Sequence, residues 1–286
     1  MVVLVGALIV LAAAVVPYVL IGGHLGVLWQ PGEYATIIGA AVGAFIISNT
    51  TDTLKGALAG IKRAIKGPAY RKKDYLELLC LLYQVFKLAK TKGMLALEQH
   101  VEKPDESALF AQFPGVVHNH HAMRFICDYL RLMTLGTENP NEVETLMDAE
   151  LETHHAERHN VSHALQSMAD GLPALGIVAA VLGVIHTMGS ITEPPEVLGH
   201  LIGAALVGTF LGVLISYGFV GPLATKIKNV DEADSKYFQV VKAGLLAHMQ
   251  GYPPSVSVEF ARKALLEKAM PSFYELEEAV GSLPQP

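Results

Sequence analysis

Two long apolar runs in the second half of the chain, 168–190 and 197–220, most constrain its fold. A helix that crosses a hydrocarbon core of about 30 Å needs about 20 mainly apolar residues, and each run is long enough. After Asp170 neither run contains an Asp, Glu, Lys or Arg. A short polar break separates the runs, and a proline lies near each outer end, at Pro173 and Pro222. The pattern predicts a transmembrane hairpin over residues 168–222.

Two further apolar runs, 1–21 and 33–50, predict a first transmembrane hairpin over residues 1–50. The run 1–21 lacks the basic start of a signal peptide, so we interpret it as a retained span whose outer end is perturbed by Pro17. Gly39 and Gly43 form a small-residue motif in the second span, which predicts a close helix contact there. Four spans follow from the two hairpins.

The basic residues fix the expected orientation of these spans. Residues 1–54 contain no Lys or Arg, residues 55–158 contain fourteen, and residues 226–268 contain the other seven. Because positive charge marks the cytoplasmic side, we expect a cytoplasmic domain at 51–167, a cytoplasmic C-terminal segment at 223–286, and both termini inside. A mean hydropathy of +0.37 agrees with a multi-pass protein of the inner membrane.

The segments outside the spans are predicted to be helical. Apolar residues recur at helical spacing within 74–88 and again within 122–135, and no alternating strand pattern stands out. Cys80 and Cys127 both fall in the cytoplasmic domain, where we expect reduced thiols. The predicted fold class is therefore an all-α integral membrane protein with four transmembrane helices and a helical cytoplasmic domain.

Searches for chemistry exclude most enzyme classes. The chain has no Gly-rich phosphate loop, no HExxH and no G-x-S-x-G motif, so we predict neither an enzyme nor a cofactor. The net charge of −6 and the scattered basic residues give little support for nucleic-acid binding. Seven of the twelve histidines fall in two groups: His118, His120, His121, His154, His155, His159 and His163. A divalent cation could bind the helix face shared by His155, His159 and His163, but a solvated helix face is the favoured interpretation and no metal is predicted.

The second hairpin lacks the group that an ion-driven protein needs. Such proteins usually keep an ionisable side chain inside the bilayer despite its cost, and no carboxylate is predicted at mid-membrane here. A titrating carboxylate should then come from another chain. The glycines of the hairpin, such as Gly176 and Gly208, would admit a neighbouring helix, although packing within the same chain explains them equally well.

The two hairpin prolines allow two interpretations. Pro173 could lie in the first turn of a helix that Asp170 caps, and Pro222 could end its span; the pattern alone favours these helix-end interpretations. Their shared position at the predicted cytoplasmic mouth of both spans instead suggests a hinge or an ion gate.

At this point the residues resemble a known family, the MotA subunits of flagellar motor stators, over essentially the whole chain. The matching stretches are 22–33, 74–98, 125–136, 144–154, 170–190, 201–224 and 251–265, for example DGLPALGIVAAVLGVIHTMGS at 170–190. This family is related to ExbB and TolQ.

The resemblance implies a pentamer around two MotB-type single-span subunits, whose aspartate carries the ion. It implies proton conduction across the inner membrane and torque on the rotor protein FliG. Ion-path or gating roles would fall on Pro173, Ala180, Thr209, Tyr217 and Pro222. Sodium-type relatives carry a threonine at the position of Ala180, so the alanine suggests the proton type.

Rotor contact would fall on Lys90 and Glu98. The family often has arginine at the first of these positions, so Lys90 keeps the charge but loses the forked geometry. Two other hypotheses remain open at this point: an ExbB- or TolQ-like energiser of envelope transport, and a membrane scaffold without ion coupling.

Overall fold

The computed structural model describes residues 2–137 and 139–284, and within them every regular element is helical. The predicted all-α fold is therefore confirmed. The α-helices are α1 (Val2–Leu20), α2 (Leu25–Leu28), α3 (Pro31–Ser48), α4 (Thr51–Lys66), α5 (Lys72–Lys92), α6 (Leu95–Glu102), α7 (Pro114–Val117), α8 (His120–Thr134), α9 (Pro140–Met188), α10 (Pro195–Ile215), α11 (Gly221–Met249), α12 (Pro254–Lys263) and α13 (Phe273–Gly281).

Four helical segments are long and apolar enough to cross a membrane: Val2–Leu20, Leu25–Ser48, Pro140–Met188 and Pro195–Met249. The chain is thus a multi-pass membrane protein, as predicted. It forms two compact units. The membrane unit comprises the chain up to Gly67 together with Ala156–Asp231, and the second unit comprises Pro68–His155 together with the chain from Glu232 onward.

Glycines in the membrane unit let α9 and α10 touch through their backbones. A Cβ atom placed on Gly176 would lie 2.7 Å from the carbonyl oxygen of Gly208, and one on Gly212 would lie 2.7 Å from that of Leu172. These glycines therefore pack within the chain. The prediction for Gly39 and Gly43 is wrong for the helices that the structure describes, because a Cβ on either residue would meet none of their atoms within 4 Å.

A second cluster in the membrane unit joins α4 to the adjoining parts of α9 and α11. Its buried residues are Ala57, Ala64, Val161, Leu165, Ala224 and Ile227. Beside it the Asp231 side chain, only 7% exposed, lies 2.9 Å from the Arg63 guanidinium and 3.9 Å from that of Arg158. Two cations thus compensate one buried carboxylate, which would otherwise be costly.

The second unit has a conventional helical core. The apolar residues expected on one face of α5, namely Leu78, Leu79, Leu82, Val85 and Phe86, are all fully buried. They belong to a cluster that also takes residues from α8, α11, α12 and α13. Cys80 and Cys127 are free and buried, and burial raises the pKa of the first to about 11 and of the second to about 12. Both thiols therefore stay protonated and unreactive at neutral pH.

Candidate functional site

Pro173 lies in the interior of α9, which continues through it from Pro140 to Met188. The helix-start interpretation is therefore wrong. Asp170 is not a cap: it lies within the same helix and accepts a hydrogen bond of 2.8 Å from the Gln166 amide. The predicted boundary between residues 167 and 168 also falls inside this helix. Because proline has no N–H, Pro173 leaves the carbonyl of Ala169, four residues earlier, without its helical donor.

The Ser216 hydroxyl replaces the missing donor. Its Oγ donates a buried hydrogen bond of 2.6 Å to the Ala169 carbonyl oxygen, and Ser216 is only 1% exposed. A buried carbonyl without a donor costs about 1–3 kcal/mol. The side chain that removes this cost comes from the opposite span, 47 residues further along the chain.

Pro222 also lies within a continuous helical stretch. After α10 ends at Ile215, the chain forms a π-helical segment, Ser216–Val220, and then enters α11 at Gly221. The Gly221 N–H donates to the Ser216 carbonyl, five residues earlier. The interpretation that Pro222 ends its span is therefore wrong, because the π segment accommodates the proline. Such segments occur frequently at functional sites.

Ser216 thus connects the two prolines. Its carbonyl belongs to the π segment that precedes Pro222, and its hydroxyl serves the carbonyl that Pro173 has freed. The predicted site residue Tyr217 follows it in the π segment and is 69% exposed. The sequence analysis gave Ser216 no role. A proline inside an apolar span always leaves one carbonyl that needs a donor, so Pro173 itself indicated that a polar side chain should lie nearby.

Ala180 and Thr209, the other two predicted ion-path residues, are half-buried near the contact of α9 with α10. The backbone nitrogen of Ala180 lies 3.0 Å from where a Cβ on Gly208 would be, and Thr209 follows Gly208 in the chain. The structure therefore places these two residues near the same helix contact. They are separate from the cluster at Pro173, Ser216 and Pro222.

Glu33 is a carboxylate that the sequence analysis assigned no role. It lies in the first turn of α3, and its side chain reaches the α9–α10 contact. A Cβ atom on Gly208 would lie 2.5 Å from Oε2, and one on Gly183 would lie 3.2 Å from Oε1. Oε2 is buried and accepts no hydrogen bond from the part of the chain that the structure describes. One sequence feature could have drawn attention to Glu33: it is the first acidic residue of the chain, 19 positions before Asp52.

The predicted rotor-contact residues lie in the second unit, and both are exposed. Lys90 is near the end of α5, and Glu98 is in α6. Over residues 2–137 and 139–284, neither side chain forms an ion pair. The charges of Lys90 and Glu98 are therefore available to a partner.

The charge of Lys90 also acts within the chain. Burial, and to a smaller extent the charge of Lys90, lowers the pKa of His248 to about 4.

The histidines form two pairs instead of a metal cluster. The Nε2 atoms of His121 and His154 are in direct contact in the second unit, with their rings at 85°. In the membrane unit, His159 and His163 line a cavity, with ring centroids 6.3 Å apart. Among the described residues, no group of three His, Cys, Asp or Glu side chains could hold a metal ion.

Two family models match the chain. The motility protein A N-terminal model covers residues 4–93, and that of the MotA/TolQ/ExbB proton channel family covers residues 118–239. Together with the four spanning segments, these matches define a membrane protein of the proton channel class.

Individual relatives identify the family within this class. Motility protein A of Salmonella typhimurium and that of Escherichia coli are each 43% identical over 286 residues, covering 100% of this chain and 97% of theirs. The chemotaxis protein LafT of Vibrio parahaemolyticus is 36% identical and covers 96% of both chains. The chain belongs to the motility protein A family.

Solved structures agree with this assignment. The flagellar MotAB stator complex from Bacillus subtilis matches with a TM-score of 0.72 and 25% identity, covering 96% of this chain and 98% of that chain. C. jejuni MotAB matches with a TM-score of 0.75 over 93% of this chain and 95% of that chain, and at 17% identity it supports the fold.

Proposed function

We propose that this chain is the proton-conducting subunit of a flagellar stator. With a MotB-type single-span partner, it passes protons across the inner membrane and converts their flow into torque on the rotor. The observation that carries the proposal is the linked pair of prolines: Pro173 and Pro222 lie inside continuous helical segments, and Ser216 connects them. The family match of the whole chain supports it.

This geometry gives the helix pair a bond that can change partners. The Ala169 carbonyl depends on a rotatable hydroxyl instead of a backbone N–H, so it can lose its donor without unfolding a helical turn. Loss of the donor leaves a buried carbonyl unsatisfied, at a cost of about 1–3 kcal/mol. One proton that crosses about 100 mV releases about 2.3 kcal/mol. The free energy of a single proton is therefore of the same size as the cost of breaking this bond.

The partner would supply the carboxylate that carries the proton through the membrane. Large apolar side chains on the membrane part of α9 are about half exposed, including Ile177 at 55% and Ile185 at 62%. Such a surface suits lipid or a neighbouring transmembrane helix. We propose a pentamer around two partner chains, with Pro173, Ala180, Thr209, Tyr217 and Pro222 along the ion path.

The orientation and the rotor contact belong to the same proposal. The fourteen basic residues at 55–158 support a cytoplasmic position for that segment, and we propose that both termini are cytoplasmic as well. There Lys90 and Glu98, both exposed and without an intramolecular ion pair among the described residues, would contact FliG through complementary charges. We expect electrostatic steering to dominate this contact, since a lysine cannot make the bidentate pair of an arginine.

Proton flux through reconstituted complexes tests the proposal. The chain should co-purify with a single-span partner that bears a membrane carboxylate, and neutralising that carboxylate should abolish flux. Pro173→Ala should lower flux and swimming torque while assembly persists. Pro195→Ala is a matched control in the same hairpin, because a proline at the start of a helix replaces no hydrogen bond.

Three outcomes would contradict the proposal. An assembled complex without flux would favour the scaffold hypothesis. Flux that drives envelope transport but no rotation would favour an ExbB- or TolQ-like energiser. Swimming speed that follows external sodium and survives a proton uncoupler would reject the proton assignment based on Ala180.

A further inference from the structure

A cavity of about 320 Å³ lies in the membrane unit between α9 and α11. Its lining residues are His159, Ser162, His163, Gln166, Ala224, Thr225 and Lys228. A cavity of this volume is large enough to hold water. Thr225 is three residues beyond Pro222, so the cavity begins one helical turn from a proline of the proposed ion path.

One face of α9 leads from Pro173 to this cavity. Going back from Pro173, the positions Asp170, Gln166, His163 and His159 follow at steps of three, four, three and four residues. At 3.6 residues per turn, these steps keep all five side chains on one side of the helix. The hydrogen bond from Gln166 to Asp170 links the first two polar residues directly.

Imidazoles suit the transfer of protons at this place. Histidine changes its protonation state between about pH 5 and 8, and it can accept a proton on one ring nitrogen and release another from the second. The centroid distance of 6.3 Å between His159 and His163 is short enough for one water to bridge the rings.

Charged side chains lie at both ends of this route. The Lys228 side chain lines the cavity on the α11 side. Asp170 lies at the end of the α9 face nearer Pro173. Beyond the cavity, Arg158 on α9 and Arg63 on α4 are arranged around Asp231 of α11.

We infer that His159 and His163 form a proton-exit relay, which accepts protons leaving the path at Pro173 and Pro222 and hands them to the cytoplasmic buffer. In each transfer one N–H bond forms while one O–H or N–H bond breaks, and the ring returns to neutral when the second nitrogen releases its proton to water or buffer. The inference rests on the proposed function of the chain.

The test is proton flux in proteoliposomes that contain the complete complex, with weak or strong buffer on the cytoplasmic face. In weak buffer, the double variant His159→Gln, His163→Gln should lose about tenfold in flux, less than the roughly 10²–10⁴-fold effect of a positioned proton-transfer group because cavity water still carries protons. Concentrated imidazole should restore the flux, since a mobile base replaces the missing rings. The control double variant His118→Gln, His120→Gln, in the second unit, should behave like the unmodified complex in both buffers.

Each remaining outcome overturns a specific claim. Unchanged flux of the His159, His163 double variant in weak buffer rejects the relay. A loss that imidazole does not restore assigns the two histidines a structural role and also rejects it. An unmodified complex that conducts in neither buffer rejects the proposed function itself, which separates that failure from failure of the relay.

Discussion

Replacing Ser216 with alanine tests the hydrogen bond that joins the two proline sites. The substitution removes the 2.6 Å bond to the Ala169 carbonyl, which no backbone N–H can replace because Pro173 occupies the donor position. A buried carbonyl left without a donor should lower the free energy of unfolding by about 1–3 kcal/mol. In the Pro173→Ala background, residue 173 again has an N–H for this carbonyl. Ser216→Ala should then cost about 1 kcal/mol or less.

The measurement is a double-mutant cycle on the unfolding free energy of the full chain in detergent, with swimming torque as a second readout. We expect a coupling free energy of about 1–2 kcal/mol between residues 173 and 216. Thr187→Val is the control: its buried hydroxyl donates to Gly183, whose carbonyl is four residues earlier in the same helix and has a backbone donor as well. Additive effects of Pro173→Ala and Ser216→Ala would refute the argument, because the serine would then not be replacing the missing donor.

Three further predictions test other parts of the structure. Gly212→Ala should destabilise the membrane unit by about 1–3 kcal/mol, since its Cβ would meet the backbone of α9 at 2.7–2.8 Å; Gly39→Ala, with open space around it, should be neutral or stabilising by up to about 1 kcal/mol in the same unfolding assay. Lys90→Glu and Glu98→Lys should each lower torque without loss of membrane insertion, and charge reversals on the rotor should restore part of it; unchanged torque in both would reject the rotor contact. Burial lowers the pKa of His248 from 6.5 to about 4, so between these values the unfolded chain binds more protons and stability falls as pH drops. His248→Phe should flatten this part of the stability–pH curve, and an unchanged slope would contradict the assignment.

Helix faces could be predicted from the sequence because periodicity is a local property. The five apolar residues expected on one face of α5 are fully buried, and the expected face of α8 is buried at Phe125, Ile126 and Tyr129. The four spans were likewise predictable, because the length of an apolar run needs no knowledge of the fold.

The prolines could not be interpreted locally. Pattern reasoning treats proline as a helix end, yet α9 continues through Pro173 because a side chain from another span serves the freed carbonyl. The change at residue 168 from charged to apolar sequence marks a change of surroundings within one helix and not a break in the chain. The predicted helix contact at Gly39 and Gly43 was wrong for a related reason, since a small-residue motif permits a contact without specifying its partner.

Glu33 and Ser216 place polar groups at two different depths of the hairpin. Glu33 contacts α10 at Gly208, and Ser216 lies eight residues further along the same helical stretch, which corresponds to about 12 Å at 1.5 Å per residue. A hydrogen bond spans only about 3 Å, so a proton cannot pass directly between the two sites. The half-buried Ala180 and Thr209 near Gly208 add no carboxylate to this interval. Under the proposed function, a partner's carboxylate with water would bridge this interval. The prediction that no carboxylate lies at mid-membrane is wrong in one respect, because Glu33 of α3 reaches Gly208 in the middle of α10. The second hairpin itself has no acidic residue after Asp170, and this fact and the spacing of its polar groups both support the proposed partner carboxylate.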